Sequence, residues 1–184
     1  MASHFAVSYA AHQIRQGGVI VYPTDTVYGL GCDPLNFSAV TYLNQLKERE
    51  SGKGFILLGH TLELFDDYIE PLTASEERSL LQTERPTSWV VPARESLPEW
   101  LSNPEHTLAI RITRHPVVTE LCRQLGHPLV STSANLSGMK PARNALQAHK
   151  YFHDKVAALL IDDRHLSGQP STIKTLDSLL TLRQ

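Results

Sequence analysis

The spacing of apolar residues, and the residues at the borders of each apolar pattern, predict five helices along the chain. The predicted helices cover residues 5–16, 36–46, 73–81, 117–125 and 144–152. Thr73 and Glu76 have the spacing of a capping box, and Gly126 follows the fourth helix as a stop. Pro116 suits the first turn of that helix, and Asn144 is expected to cap the fifth. The helices are therefore short and are separated by other structure.

Runs of β-branched and other apolar residues predict strands between the helices. The strands begin at Val19 and include residues 55–58, 89–91, 108–112, 156–161 and 171–173, and residues 128–130 form a further apolar stretch. The run at 55–58 is apolar throughout, which is typical of a strand buried on both faces. Several strands follow one another without a helix between them. This order predicts an α+β fold built on a twisted mixed sheet rather than a regular doubly wound sheet.

Length and composition predict one domain, spanning residues 1–184, with a substantial core, because 41% of the residues are hydrophobic. A formal charge of −2 excludes general polycationic binding to nucleic acid, so any RNA contact needs a local patch. Cys32 and Cys122 form no Cys-x-x-Cys pair, and we expect neither a disulfide framework nor a structural zinc site. The first five residues are not typical of a signal peptide, and no stretch is long enough to cross a membrane. A soluble cytoplasmic protein is expected.

Two polar segments follow predicted strands and offer candidate ligand surfaces. Residues 131–138 (STSANLSG) carry four hydroxyls and one amide directly after residues 128–130. Small hydroxyl side chains leave room for a ligand and provide donors and acceptors, although an ordinary Ser/Asn/Gly turn explains the segment equally well. In the other segment, Thr24 and Thr26 flank Asp25, and strand alternation would place the two hydroxyls on one face.

Basic residues form another candidate group. Lys47, Arg49 and Lys53 fall within seven residues near a predicted helix end, where they could converge on a polyphosphate. The alternative is a helix C-terminus whose basic side chains suit the helix dipole. Arg111 shares one face of its strand with Thr113, and that face is compatible with plain solvent. The pattern alone leaves both alternatives open.

Other signatures indicate little chemistry. There is no Gly-x-x-x-x-Gly-Lys-(Ser/Thr) phosphate loop, so any nucleotide site is of an unrelated type. His149 and His153 lie four apart on a predicted helix, but no cysteine pair or acidic residue accompanies them, and no metal site is predicted. Cys32 and Cys122 are expected in the core rather than as nucleophiles.

Taken together, these segments resemble the YrdC/TsaC family. The family pattern is matched by residues 23–31 (PTDTVYGLG) after the first strand, by Lys47-Glu48-Arg49, and later by residues 131–138. The match continues in register from about Gly18 to the C-terminus. The resemblance implies a twisted mixed or antiparallel sheet with surrounding helices and a large concave cavity.

The resemblance also implies an activity, that of a threonylcarbamoyl-AMP synthase. Such a nucleotidyltransferase joins L-threonine, bicarbonate and ATP, with Mg²⁺ accompanying the ATP, and releases pyrophosphate without a covalent nucleophile. Its product supplies downstream tRNA-modification proteins that form threonylcarbamoyladenosine beside the anticodon. The competing expectation is a protein of the same fold that binds tRNA or double-stranded RNA, or assists ribosome maturation, without synthase activity.

The resemblance further implies which residues bind the substrates. Nucleotide contacts are expected from Lys47, Arg49, Lys53, Ser88, Ser133, Asn135, Pro141 and Arg183, with Lys47 and Arg49 stabilising charge. Threonine contacts are expected from Thr24, Thr26, Arg111, Ser131 and Ser171. Two departures from the family pattern bear on nucleotide binding. Residues 83–88 (TERPTS) replace a Trp-Pro-Gly-Pro-x-Thr loop and add the cation of Arg85, and Glu50 stands where a proline usually follows.

Overall fold

A mixed sheet of nine strands organises the chain in the computed structural model, which describes residues 2–48, 55–164, 166–176 and 181–183. The strands are β1 (Ile20–Tyr22), β2 (Gly29–Cys32), β3 (Ile56–Gly59), β4 (Thr87–Pro92), β5 (Thr107–Ile112), β6 (Leu129–Ser133), β7 (Ala158–Leu159), β8 (Thr172–Thr175) and β9 (Thr181–Arg183). Their order across the sheet is β7-β1-β2-β6-β3-β5-β4-β8-β9. The pairs β1/β7, β3/β5 and β4/β8 are parallel, and the other five pairs are antiparallel. The predicted α+β class with a mixed sheet is confirmed.

Five α-helices surround this sheet in the described residues, as the apolar spacing predicts. They are α1 (His4–Arg15), α2 (Phe37–Lys47), α3 (Ala74–Leu81), α4 (Pro116–Leu125) and α5 (Ala145–Phe152). The predicted capping box is present at α3, where Thr73 and Glu76 cap each other's backbone. Asn144 accepts a hydrogen bond from Gln147 N–H at the start of α5. Gly126 ends α4 with a φ of +80°, a conformation that glycine adopts without strain.

The sheet carries a hydrophobic core on each face, because neighbouring residues of its strands point in opposite directions. Val21 and Leu57 belong to one core, which includes buried residues of α2, α3 and α5. Ile20 and Leu58 belong to the other core, with buried residues of α1 and α4. Adjacent residues of β3 therefore serve different cores, and the prediction that this segment is buried on both faces is confirmed.

The face that packs against α1 and α4 changes character along its strands. In β6, Leu129 is part of the core on this face, whereas Ser131 and Ser133, which point the same way, line a cavity. In β3, Leu58 is in the core and Ile56 lines the cavity. One face of the sheet is thus packed by helices over one half and open over the other.

One predicted strand is shorter than the sequence suggests. The apolar run at 156–161 forms a strand only at Ala158–Leu159, because its partner β1 ends at Tyr22 and is followed by Pro23, which has no N–H to donate. Beyond the strand, the Asp162 N–H donates to Tyr28 Oη, in the segment between β1 and β2. Among the described residues, no helix combines the length and the apolar composition needed to cross a membrane.

Acid should weaken the fold at Asp162, whose carboxylate accepts hydrogen bonds from Arg164 Nε at 2.9 Å and from the Ala2 N–H at 3.3 Å. The Arg164 guanidinium holds the pKa of Asp162 well below its usual range. The unfolded chain therefore binds this proton more readily, and the stabilisation is complete above pH ~4 and is lost as the pH falls further. Asp162→Asn should lower the free energy of unfolding at neutral pH by about 1 kcal/mol and flatten its acid limb. Urea titrations from pH 7 to pH 3, with exposed Asp154→Asn as the control, test this expectation.

Candidate active site

A cavity of about 420 Å³ lies over the open half of the sheet. Its floor is formed by residues of β2, β3, β4, β5 and β6, and its walls by Thr24, residues 26–28, Pro141, Pro170, Ser171 and Ile173. Small side chains keep it open. A Cβ atom at Gly29 would lie 3.4 Å from both Ser131 Oγ and a methyl carbon of Thr24, so glycine at this position leaves space between the two polar segments. The two segments that the sequence singles out therefore face one another.

Thr24 and Thr26 are joined by a hydrogen bond of 2.9 Å between their Oγ1 atoms. Thr24 donates its hydroxyl proton to the Val27 carbonyl at 2.7 Å, so the Thr26 hydroxyl is the donor to Thr24. The Thr26 oxygen is then available to accept from Arg111 Nη1 at 3.4 Å. The two hydroxyls do lie together, but a bend brings them together rather than the strand alternation that the sequence suggested.

Arg111 lines the cavity with only 4% of its surface exposed, so the solvent-facing interpretation of this strand is wrong. Its Nη2 lies 3.3 Å from Asp25 Oδ1. Its Nε is buried and, among the described residues, has no hydrogen-bond partner. A buried guanidinium is costly unless its donors are satisfied. A ligand carboxylate would supply the missing acceptor in the two-pronged geometry that arginine favours.

A lysine is bonded to two of the residues that line the cavity, Ser133 and Asn135. Lys47 is the last residue of α2, and its Nζ donates to the carbonyl oxygens of Ser133 at 2.6 Å and Asn135 at 2.9 Å, and to Asn135 Oδ1 at 2.7 Å. Ser133 Oγ also donates to Asn135 Oδ1. The fold thus brings together three of the predicted nucleotide contacts. Arg49 and Lys53, with Glu50, lie outside the described residues, and their roles stay predictions.

The remaining predicted contacts lie along the β4–β8 edge and the nearby loop. Ser171 and Pro141 line the cavity. Ser88 is completely buried and is hydrogen-bonded to Ser171, with 2.9 Å between the two Oγ atoms. Arg183 lies in β9 opposite Ile173, and its contact with a nucleotide stays a prediction. Although the Pro-Gly turn of the family is missing, residues 87–90 still pair with β8 in register.

Ser88→Ala should lower the free energy of unfolding by about 1 kcal/mol, because it removes the buried hydrogen bond between Ser88 and Ser171. Ser88 does not line the cavity itself; its hydroxyl is hydrogen-bonded to Ser171, which does. Chemical denaturation of both proteins measures this loss, and Ser79→Ala on the exposed face of α3 is the matched control. If Ser88 instead contacts the nucleotide, as the resemblance implies, the variant will raise the KM for ATP while its stability stays near that of the parent.

Sequence reasoning missed the residues that hold the polar loops in place. Tyr28 Oη donates to Asp163 Oδ1 at 2.8 Å and accepts from the Asp162 N–H at 3.0 Å. The Tyr28 N–H donates to the Ala142 carbonyl, and the Tyr28 carbonyl accepts from the Ala134 N–H. Tyr28 therefore ties the segment after β1 to the loop after β6. Its partners are more than a hundred residues away, so only its position in the family pattern could have marked it.

Two histidines lie at the C-terminal end of α5, His149 within the helix and His153 at its C-cap. The rings of His149 and His153 stack with 4.8 Å between their centroids. Within the described ranges, no group of three or more His, Cys, Asp or Glu side chains is placed to hold a metal ion.

The fold and the site together define a mixed-sheet protein with a hydroxyl-lined cavity, a buried arginine in its lining and a lysine bonded to two of its lining residues. The model of the Sua5/YciO/YrdC family, described as "Telomere recombination", matches residues 12–184. The chain belongs to this family, which confirms the resemblance noted in its sequence.

Curated relatives match nearly the whole chain. A protein of Nitrosococcus oceani named threonylcarbamoyl-AMP synthase is 44% identical over 172 residues, covering 93% of each chain. A protein of Pseudomonas aeruginosa with the same name is 42% identical over 177 residues, covering 96% of this chain and 95% of the relative.

Solved structures share the fold. Sua5 of P. abyssi, determined in complex with L-threonine, superposes with a TM-score of 0.88 at 25% identity over 97% of this chain. This chain spans about half of that protein, 53% of its length. YciO of E. coli superposes with a TM-score of 0.87 at 24% identity, covering 99% of this chain and 90% of YciO, which supports the fold alone.

Proposed function

We propose that this protein is a threonylcarbamoyl-AMP synthase, which forms L-threonylcarbamoyladenylate and pyrophosphate from L-threonine, bicarbonate and ATP. The observation that carries the proposal is the buried Arg111, whose Nε has no hydrogen-bond partner among the described residues, in a hydroxyl-lined cavity whose residues Ser133 and Asn135 are bonded to Lys47. The names of relatives more than 40% identical over more than 90% of the chain support it.

The threonine site would be built around Arg111. The carboxylate of the amino acid would take the place of the Asp25 carboxylate and accept from the guanidinium, including its Nε. Thr24, Thr26 and Ser131 would surround the rest of the amino acid with hydroxyls. This arrangement fixes the amine inside the cavity. After the ammonium loses one proton to solvent, the amine can attack the carbon of bicarbonate, a C–O bond breaks to release water, and a carbamate remains.

The nucleotide would lie toward Lys47. A carbamate oxygen would attack the α-phosphorus of ATP, and the bond to the bridging oxygen would break to release pyrophosphate. The Lys47 ammonium, with Arg49 and Lys53 as predicted neighbours, would stabilise the negative charge that develops on the phosphates. Because no side chain forms a covalent bond, positioning and electrostatic stabilisation carry the reaction.

Magnesium would arrive with the ATP. Hard cations prefer oxygen ligands, and Ser133 Oγ and Asn135 Oδ1, which lie 2.7 Å apart beside Lys47, fit an ion that keeps most of its contacts with phosphate and water. The bound ion would neutralise charge on the leaving pyrophosphate. The described residues hold no carboxylate cluster that would bind the ion before the nucleotide.

The product would be passed to downstream proteins that transfer the threonylcarbamoyl group to tRNA. Cys32 and Cys122 are both free and buried, which suits the reducing cytoplasm in which tRNA is modified. We propose that residues 1–184 act as one catalytic domain in this reaction.

The test is a reconstitution with purified protein, magnesium, ATP, labelled bicarbonate and L-threonine, with each substrate omitted in turn. We expect threonylcarbamoyladenylate and pyrophosphate to form only in the complete mixture. A folded protein that releases no pyrophosphate but binds tRNA or double-stranded RNA in a salt-dependent manner would contradict the proposal and favour a binding protein of the same fold.

A further inference from the structure

A second cavity, of about 590 Å³, adjoins the first. The two cavities meet at one ion pair, because Arg111 lines the first and its partner Asp25 lines the second. The residues that follow Arg111 along the chain, Ile112 and Thr113, also line the second cavity. The Arg111–Asp25 pair is therefore a partition between the two spaces, made of side chains that a ligand can separate.

The second cavity is rich in groups that attract anions. Its lining includes Arg85 and Arg114, both exposed. Neither pairs with a carboxylate among the described residues. His60 also lines this space, and its buried Nδ1 has no hydrogen-bond partner in the described part of the chain. The opposing carboxylates are Glu84 at the rim and Asp25, which is already paired with Arg111.

Part of this charge comes from the loop in which the chain departs from its family pattern. Arg85 stands in the segment that lacks the Pro-Gly turn, and residues 83–86 all line the second cavity rather than the first. The added cation therefore faces the far side of the Arg111–Asp25 partition, away from Lys47. Arg111 lies in register with Leu58, and Leu58 with Leu129, which is four residues before Ser133 in β6. That separation is on the order of 13 Å along the strand.

We propose that the second cavity is a binding site for hydrogen carbonate, through which this substrate reaches the amine of the bound amino acid. The inference rests on the proposed function and deepens it. Of the three substrates, threonine is a zwitterion with no net charge and ATP is drawn to the lysine end. Hydrogen carbonate is the one small net anion, and unpaired guanidinium groups concentrate a small anion even when they are partly exposed.

The partition gives the substrates an order of arrival. While Asp25 occupies the guanidinium, the passage between the two cavities is closed by the ion pair. A threonine carboxylate that binds Arg111 displaces Asp25, and the displaced carboxylate must move away from its former position. Hydrogen carbonate held at Arg85, Arg114 and His60 then reaches the amine without passing the nucleotide.

The test uses Arg85→Gln, Arg114→Gln and the double variant, with Arg78→Gln as a control on an exposed arginine of α3 outside both cavities. All three substituted arginines are on the surface, so the fold should be retained. The KM values for bicarbonate, L-threonine and ATP are measured separately at saturating concentrations of the other two substrates. We expect the double variant to raise the KM for bicarbonate about tenfold, with kcat and the other two KM values within about twofold of the parent.

A second measurement does not depend on catalysis. The line width of ¹³C-labelled hydrogen carbonate is recorded with the full-length protein and threonine, but without ATP. The parent and Arg78→Gln should broaden the signal, and the double variant should broaden it much less. Equal broadening by all proteins, an unchanged KM for bicarbonate, or a rise in the KM for ATP instead would overturn the site. If the parent makes no product, the synthase proposal fails, while the line widths still decide whether the anion site exists.

Discussion

Replacing Lys47 with methionine should lower kcat by about 100-fold or more, because it removes a fixed positive charge beside the proposed phosphate position, and loss of one preorganised charge-stabilising group costs this much in other enzymes. Lys47 Nζ is held by three oxygen atoms at the end of β6, between 2.6 and 2.9 Å away. These contacts fix an ammonium group where the phosphates of ATP are proposed to lie. Methionine keeps the length and packing of the side chain but removes the charge and all three donors.

The effect should fall on the chemical step more than on folding. The oxygen atoms that Lys47 leaves are next to an open cavity, where water can replace the lysine, so the loss of stability should be small. Rates of pyrophosphate release and thermal unfolding curves separate the two effects. Lys150→Met, on the exposed face of α5, should behave like the parent. Parent-like kcat in a folded Lys47→Met protein would remove this lysine from the mechanism.

Arg111→Gln should raise the KM for L-threonine by about 100-fold, with a smaller change in the KM for ATP. A charged hydrogen bond to a buried partner contributes about 1.5–3 kcal/mol, and the glutamine cannot replace the two-pronged contact with a carboxylate. The change also leaves Asp25 without its ion-pair partner, which adds a cost in stability. Initial rates at varied threonine, with urea unfolding in parallel, measure both.

Asp25→Asn should be compared with Arg111→Gln, because it keeps Arg111 and replaces the competing carboxylate with a neutral amide. We expect its KM for L-threonine to be no higher than that of the parent. Arg123→Gln, which breaks an exposed ion pair with Glu120 on α4, controls for the loss of an arginine as such. If Arg111→Gln and Asp25→Asn raise the KM for threonine equally, the ion pair is structural, and the amino acid binds elsewhere.

The helices and most strands could be predicted from the sequence because their signals are local. The capping box at Thr73 and the glycine stop at Gly126 act within a few residues of their own helices. The short β7 could not be predicted, because its length is set by the partner strand β1, which lies more than a hundred residues earlier. Local apolar runs indicate where a strand can form, and pairing with a neighbouring strand determines how long that strand is.

The sequence predicted which residues belong to the site better than it predicted how their side chains contact one another. The family pattern marked Lys47 and Asn135, yet only the fold shows that their side chains meet across a separation of 88 residues. It likewise marked Ser88 and Ser171 as contacts to different substrates, whereas the fold joins them to each other. The second cavity could not be anticipated, since His60, Arg85 and Arg114 come from three segments that share no local pattern.

In the protein without ligand, the Asp25 carboxylate occupies the position on Arg111 that the carboxylate of the amino acid is proposed to take. A ligand that matches only the shape of the cavity does not break the Arg111–Asp25 ion pair. To break it, the ligand must carry a carboxylate that binds Arg111 more strongly than Asp25 does. Amines and alcohols of the same size as threonine have no carboxylate and would therefore bind weakly, even if they fill the cavity. The affinity for the amino acid would reflect the difference between the free energies with which Arg111 binds the threonine carboxylate and the Asp25 carboxylate. Asp25 would therefore help to set the threonine concentration at which the site is half occupied.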